Sequence, residues 1–110
     1  GLRAGADHVA YCASKGGLVM LTRAMAKDHA REGLRVNAIC PGDVDTPMLA
    51  GEAEELGESL DDYLAEAAED SPNGRIAEPG EIASLALYLA SDAARHITGT
   101  TISIDGGATA

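Results

Sequence analysis

The sequence predicts an α/β fold built on a parallel sheet, and three observations support this assignment. Residues 11–32 and 79–91 carry apolar side chains at helical spacing. Residues 34–42 form a nearly continuous apolar run, typical of a strand covered on both faces. The later stretch TTISIDGG alternates like a half-exposed strand. Helix, strand, helix, strand implies a βαβ unit with a right-handed crossover, and two strands are too few for a stable sheet of their own.

The first predicted helix begins at Tyr11, after a glycine-rich loop over residues 1–10, and ends near Glu32. Arg31 in the last turn and Gly33 at the C′ position mark its end. Its main stripe has spacings of three and four and consists of Leu18, Leu21, Thr22, Met25 and His29. Further apolar residues on other faces predict burial on more than one side, against a sheet and against another subunit.

The predicted strand over residues 34–42 is interrupted by Asn37 and ends at Pro41-Gly42, after which Thr46-Pro47 can begin a short helix. The following segment, residues 49–74, holds nine acids and neither Lys nor Arg. Its apolar residues make only a narrow helical stripe: Leu60, Tyr63, Leu64, Ala67 and Ala68. This pattern is typical of a lid resting on a pocket, and a disordered insert would have a similar pattern.

A further helix is predicted to begin at Pro79, which suits the first helical position. Its stripe follows the i, i+3, i+4, i+7 rule through Ile82, Leu85, Ala86 and Leu89. Leu87 and Tyr88 point elsewhere and are candidates for contact with a partner.

Composition excludes several classes of function. The net charge of −10 and the lack of a basic patch with interleaved aromatics disfavour nucleic-acid binding. No apolar run is long enough to cross a bilayer and no signal sequence is recognisable, so we expect a cytoplasmic protein, or a piece of one, with no membrane partner. Cys12 and Cys40 lie in no metal-binding or redox spacing, so no metal is expected.

Tyr11 and Lys15 lie four residues apart in the run YCASKGG. On a helix this spacing places both side chains on one face. An adjacent ammonium favours the phenolate and lowers the pKa of a tyrosine from about 10 towards the range of a general acid/base. Gly16 and Gly17 each cost a helix interior about 1 kcal/mol relative to Ala, which suggests that another group approaches closely. By itself the pair fits either a catalytic site or a solvated helix face.

Three blocks then follow in order: YCASK, NAICPGDVDTP, and GRIAEPGEIA…LASD…ITGTTISIDGG. Together they resemble the short-chain dehydrogenase/reductase family over essentially the whole chain. The resemblance implies the C-terminal part of a Rossmann-type doubly wound parallel sheet, with residues 1–110 as the C-terminal catalytic half of one oxidoreductase domain. The Gly-rich pyrophosphate turn, the Asn-Asn-Ala-Gly segment and the catalytic serine of such enzymes are not in this sequence.

The resemblance implies an NAD(P)-dependent interconversion of a small-molecule alcohol and a ketone by hydride transfer. Tyr11 is the expected acid/base that exchanges a proton with the substrate oxygen. Lys15 is expected to lower the pKa of Tyr11 and to hydrogen-bond the nicotinamide ribose, so both residues belong to the catalytic and the cofactor-binding sets. The choice between NAD and NADP is made near a second strand that this sequence does not contain.

The block NAICPGDVDTP is expected to hold the nicotinamide. Pro41 and Gly42 would lie against the ring, and the Val44 backbone and Thr46 hydroxyl would bind its carboxamide. The resemblance also makes residues 49–74 the variable substrate lid. The residues expected at the lid and pocket wall are Met48, Leu49, Leu60 and Tyr63.

Asn37 is expected to be structural, with its amide bonded to backbone. Asp43 and Asp45 permit a paired-carboxylate interpretation, although stabilisation of a turn is favoured. The family's usual assembly is a homotetramer that uses the Tyr-bearing helix and the last helix-strand pair. If these 110 residues acted alone, the alternative is a truncated, inactive fragment that serves as an oligomerisation or interaction module.

Overall fold

The computed structural model describes residues 6–45 and 47–110; the side chains at 6–8, 11 and 48 lie outside the description. Four α-helices and two strands follow in the order α1 (Ala6–His29), β1 (Ala38–Pro41), α2 (Pro47–Glu55), α3 (Leu60–Asp70), α4 (Pro79–Ala90) and β2 (Thr101–Ile104). Single 3₁₀ turns follow α1 and α4, at Ala30–Glu32 and Asp92–Ala94.

The two strands pair in parallel, as the βαβ pattern predicts. The Ala38 N–H donates to Thr100 O over 2.9 Å, and the Gly42 N–H donates to Ile104 O over 3.1 Å. The prediction that the first strand begins at residue 34 is wrong, because the backbone before Ala38 is bonded to the loop at Thr98 and not to a strand. The Val36 N–H donates to the Thr98 hydroxyl over 3.0 Å, and Val36 O accepts from the Gly99 N–H.

The chain forms two compact units, each made of two segments. The first contains the chain up to Ile39 together with Leu87–Ile102. The second contains Cys40–Ala86 together with Ser103–Ala110. The boundary between them therefore passes through β1, α4 and β2.

In the first unit, α1 begins at Ala6, so the prediction of a loop through residue 10 is wrong for its second half. Its end is as predicted, since Gly33 at φ +78° terminates the 3₁₀ turn in the left-handed conformation that glycine adopts easily. The predicted main stripe is divided: its apolar members Leu18, Leu21 and Met25 are exposed in this chain, whereas Thr22 is buried and His29 half-buried.

The face of α1 that is least exposed runs through Val19, Thr22, Ala26 and His29. Thr22 retains only 3% of its accessible surface. Its hydroxyl donates to Leu18 O over 2.7 Å, so the helix itself satisfies the polar atom and burial carries no unpaired group. A Cβ on Gly99 would lie 3.3 Å from the Cβ of Ala26, so the loop after α4 passes close to this face.

Asn37 and Arg35 hold that loop in place. Asn37 Nδ2 donates to Ile97 O over 3.0 Å, and Asn37 Oδ1 accepts from the Thr100 N–H over 3.1 Å. The Arg35 guanidinium donates to Leu89 O over 2.6 Å, at the carbonyl-rich end of α4 where a cation is favourable. The structural role predicted for Asn37 is confirmed by these two backbone hydrogen bonds.

In the second unit, α2 and α3 form a helical hairpin, the α2–α3 hairpin, joined by residues 56–59. Leu49 and Ala53 of α2 pack against Tyr63 of α3 in one buried cluster, with Leu64 and Ile76 against its edge. Ser59 caps α3 by accepting from the Asp62 N–H over 3.1 Å. The acidic segment is therefore largely helical and has a small core of its own, in place of a disordered insert.

The start of α4 is held by Glu81 in a capping box. Glu81 Oε1 accepts from the Glu78 N–H over 3.1 Å. Arg75 binds the same carboxylate through both nitrogens, at 2.7 and 2.9 Å. These bonds to Arg75 and to the Glu78 backbone hold the pKa of Glu81 down, from 4.5 to about 2.

This depressed pKa makes the stability of the second unit depend on pH. A carboxylate with a lowered folded-state pKa contributes stability above its unfolded value, and that contribution is lost as pH falls from about 4.5 towards 2. We expect the melting temperature to fall over this interval, and the fall to be smaller in Glu81→Gln. Thermal unfolding at a series of pH values checks this. Glu66→Gln, which removes an exposed acid from α3, is the control and should retain the full pH dependence.

Candidate active site

Helix α1 carries both members of the predicted catalytic pair. Tyr11 and Lys15 lie one turn apart within Ala6–His29, so their positions share one face. Lys15 is half-buried while its neighbours Ser14 and Gly16 are exposed. Continuing the spacing of three and four backwards from Thr22 leads through Val19 to Lys15, and then to Tyr11. The positions of Tyr11 and Lys15 therefore continue the register of the least exposed face of α1, and their catalytic role stays a prediction.

The side chain of Tyr11 lies outside the described part of the structure, so its acid/base role stays a prediction. Gly16 and Gly17 are exposed, and no described atom would come within 4 Å of a Cβ at either position. The close approach expected there is thus not made by the described part of this chain, and it stays a prediction about a cofactor or a partner.

In the second unit, Gly42 follows β1 directly and is packed against Asp105. A Cβ on Gly42 would lie 3.0 Å from the Asp105 Cβ and 3.1 Å from its Cα. The backbone at the end of β2 therefore explains the glycine, and only the opposite side of Gly42 can meet a ligand. Pro41, the last residue of β1, is exposed and available for contact.

Replacing Gly42 by Ala should destabilise the protein by about 1–3 kcal/mol, because the added methyl meets backbone that cannot rotate away. Urea or thermal unfolding measures the loss. Gly51→Ala in α2 is the matched control, since no atom lies within 4 Å of its Cβ position. There the change should stabilise by up to about 1 kcal/mol through helix propensity. Equal effects at both positions would contradict the close contact with Asp105.

Val44 forms an isolated parallel bridge with Ala77. Two hydrogen bonds form this bridge: the Asp45 N–H donates to Ala77 O over 2.9 Å, and the Ala77 N–H donates to Asp43 O over 3.1 Å. In a parallel bridge the N–H and C=O of the central residue point to the opposite side. Val44 therefore presents one donor and one acceptor away from Ala77, the set that a carboxamide requires. Thr46 lies outside the described residues.

The predicted substrate-lid residues have different surroundings. Leu49 and Tyr63 are buried in the core of the α2–α3 hairpin, whereas Leu60 at the start of α3 keeps 41% of its surface exposed. The side chain of Met48 is outside the description. Of the three described residues, Leu60 is the exposed one, and the lid role of all three stays a prediction.

Two polar groups of the second unit were not singled out by the sequence analysis. Glu52 accepts a hydrogen bond from the hydroxyl of Tyr63, and the signal was its place beside Leu49 and Ala53 on the inward side of α2. Asp105 accepts from the Gly107 and Thr109 N–H groups and from the Thr109 hydroxyl, closing the turn after β2. That pattern is the ordinary preference of Asp for turns that bond the backbone two to four residues on.

Neither a metal-binding cluster nor a helix able to span a membrane occurs in residues 6–45 and 47–110. Lys15 supplies a donor suited to ribose hydroxyls, and Val44 supplies the backbone pair suited to a carboxamide. Each fits one part of a nicotinamide nucleotide within its own unit.

Comparison with known proteins decides the family. A family model described as enoyl-(acyl carrier protein) reductase matches residues 1–109. The chain belongs to the short-chain dehydrogenase/reductase family. It is 46% identical to meso-2,3-butanediol dehydrogenase of Serratia marcescens over 91% of this chain and 37% of that protein. The chain thus spans well under half the length of that relative, and it is a partial segment of a short-chain dehydrogenase/reductase.

Solved structures of the family agree with this fold. A short-chain dehydrogenase family protein from Francisella tularensis superposes with a TM-score of 0.81 at 39% identity, over 96% of this chain and 46% of that one. A C-terminal deletion mutant of Thermoplasma acidophilum aldohexose dehydrogenase gives 0.83 at 38% identity, over 92% and 45%. The short-chain dehydrogenase/reductase fold predicted from the three sequence blocks is confirmed, and the segment comes from an oxidoreductase family.

Proposed function

We propose that the protein carrying this segment is an NAD(P)-dependent oxidoreductase that interconverts an alcohol and a ketone, with Tyr11 as acid/base. The observation that carries the proposal is the place of Lys15, half-buried on the least exposed face of α1, one turn after Tyr11. Lysine residues are mostly exposed, so a half-buried lysine one helical turn after a tyrosine supports a shared functional role for the two positions.

In the proposed mechanism Tyr11 holds or releases the proton at the substrate oxygen. Lys15 stabilises the phenolate by its charge and donates to the nicotinamide ribose hydroxyls. Val44 binds the carboxamide through its backbone with help from the Thr46 hydroxyl, and Pro41 and the open side of Gly42 bound the ring. A nicotinamide nucleotide, when bound, supplies the hydride chemistry. The remaining donors, for the pyrophosphate and for the substrate, come from outside this segment.

The α2–α3 hairpin acts in this proposal as the substrate lid, with Leu60 and Met48 as its contact residues. We also propose a cytoplasmic homo-oligomer, a tetramer in keeping with the family. Exposed apolar side chains in the first unit support an interface: Leu18, Leu21 and Met25 on α1, and Leu87 and Tyr88 in the last turn of α4.

Nucleotide binding and turnover test the proposal together. Purified protein is titrated with NADH and with NADPH, and binding is followed by nicotinamide fluorescence and by thermal protection. Turnover is then assayed with meso-2,3-butanediol and with an aldohexose, the substrates in the names of two relatives. We expect one nucleotide to bind and an alcohol to be oxidised. If the protein bound neither NADH nor NADPH, the proposal would be overturned and the inactive oligomerisation module would be favoured.

A further inference from the structure

The α2–α3 hairpin brings a buried tyrosine and a glutamate together at its centre. Tyr63 retains 3% of its surface, and its hydroxyl donates to Glu52 Oε2 at 2.5 Å. A phenolic hydroxyl in a buried position needs a partner, and a bond to a carboxylate is stronger than one to a neutral acceptor. This is a side-chain hydrogen bond that joins α2 directly to α3.

The apolar core that joins the two helices is small. Among the side chains that the structure describes, it consists of Leu49, Ala53 and Tyr63, with Leu64 and Ile76 at its edge. Two of the buried residues on the inward face of the hairpin, Ala53 and Ala67, contribute only a methyl group each. Since hydrophobic stabilisation scales with buried apolar area, a core of this size leaves the association of α2 with α3 dependent on further contacts.

Charge opposes that association. Residues 49–74 contain nine acids and no Lys or Arg, so the two helices repel each other wherever their acids come within about 8–10 Å. The exposed members are Glu54, Glu55, Asp61, Asp62, Glu66, Glu69 and Asp70. Glu52 differs from them because it is only partly exposed and its carboxylate is bonded across the hairpin. Glu52 thus stabilises the association of α2 with α3, which the exposed acids oppose by charge repulsion.

The far end of the hairpin is anchored separately. Gly106, at φ +64°, has no room for a side chain, because a Cβ there would lie 2.5 Å from Asn73 Oδ1 and 2.7 Å from Ser71 Oγ. The turn after α3 therefore sits directly on the turn after β2. The end of α3 is thus held by the turn after β2, while α2 is held to α3 by the small core and by the Tyr63–Glu52 hydrogen bond.

We propose that Tyr63 and Glu52 are positioning residues that keep the substrate lid assembled before substrate arrives. The part of this inference that concerns substrate binding rests on the proposed function. The hydrogen bond between Tyr63 and Glu52 is observed independently of it. Because the hairpin is already ordered, substrate binding does not have to include the entropic cost of ordering it. Losing the bond lowers the assembled fraction, and the apparent affinity for substrate falls by the same factor.

The test compares Tyr63→Phe, Glu52→Gln and the double variant by amide hydrogen exchange and by steady-state kinetics with meso-2,3-butanediol. We expect faster exchange in α2 and α3 with little change in α1, and a KM about five- to ten-fold higher with kcat nearly constant. The double variant should be no worse than Tyr63→Phe alone, because Tyr63→Phe already removes the hydrogen bond that Glu52→Gln weakens by removing the charge of its acceptor. Glu55→Gln on α2 is the matched control, and it should change neither exchange nor KM.

The outcomes separate the hydrogen bond from the function. Unchanged exchange in the single variants, or additive effects in the double variant, would overturn the positioning role outright. Faster exchange with unchanged KM would leave the oxidoreductase intact and overturn the role of the pair in substrate binding. A wild-type protein that binds neither NADH nor NADPH would overturn the proposed function and the kinetic role with it, and exchange would then decide only whether the hydrogen bond holds the hairpin.

Discussion

Replacing Tyr11 by Phe is expected to lower kcat by about a thousand-fold while nucleotide affinity stays close to that of the wild type. The change removes one oxygen atom and leaves the ring, so helix α1 and the contacts of its least exposed face are preserved. What is lost is the group that exchanges a proton with the substrate oxygen, and general acid/base groups contribute about 10²–10⁴ to rate.

The measurement for Tyr11→Phe is kcat for alcohol oxidation beside the dissociation constant for the reduced nucleotide. Tyr88→Phe removes a hydroxyl from an exposed tyrosine on α4 and should leave both quantities unchanged. A Tyr11→Phe protein that turns over at more than a tenth of the wild-type rate would remove Tyr11 from the mechanism.

The sequence predicted helices where the apolar spacing was unambiguous. Residues 79–91 were expected to be helical, and α4 occupies Pro79–Ala90 with Leu89 buried and Leu87 exposed. Periodicity identifies the face of an element without identifying its partner. On α1 the strongly apolar face at Leu18 and Leu21 is exposed in this chain, and a face containing Thr22 is buried because the helix backbone satisfies its hydroxyl.

The same limit applies to strand ends and to the lid. The first strand was predicted to begin four residues too early, because the pattern cannot show that Val36 and Asn37 bond to a loop sixty residues later. Leu49 and Tyr63 were expected at the lid and pocket wall; in this chain both lie in one buried cluster, and their role towards a substrate stays a prediction. Tyr11 and Lys15 were found more easily, since one continuous helix is enough to relate them.

Replacing Lys15 by Ala is expected to reduce both kcat and nucleotide affinity, which distinguishes it from the change at Tyr11. Loss of a charged donor to the ribose hydroxyls should raise the nucleotide dissociation constant about ten-fold or more. Loss of the positive charge beside the phenol should also make the phenolate harder to form, so the rise of the oxidation rate with pH should move to higher pH. The combined fall in kcat at neutral pH should be about a hundred-fold.

Three variants separate the parts of this prediction. Lys27→Ala removes the chain's other lysine, from the exposed last turn of α1, and should change neither affinity nor the pH profile. Lys15→Arg keeps the charge but replaces a compact ammonium by a planar guanidinium, so it should retain the pH profile better than the affinity. Unchanged nucleotide affinity in Lys15→Ala would contradict the ribose contact, and an unchanged pH profile would contradict its electrostatic action on Tyr11. Because Lys15 continues the face of α1 that runs through Val19 and Thr22, both effects should appear without loss of helix content, which circular dichroism checks.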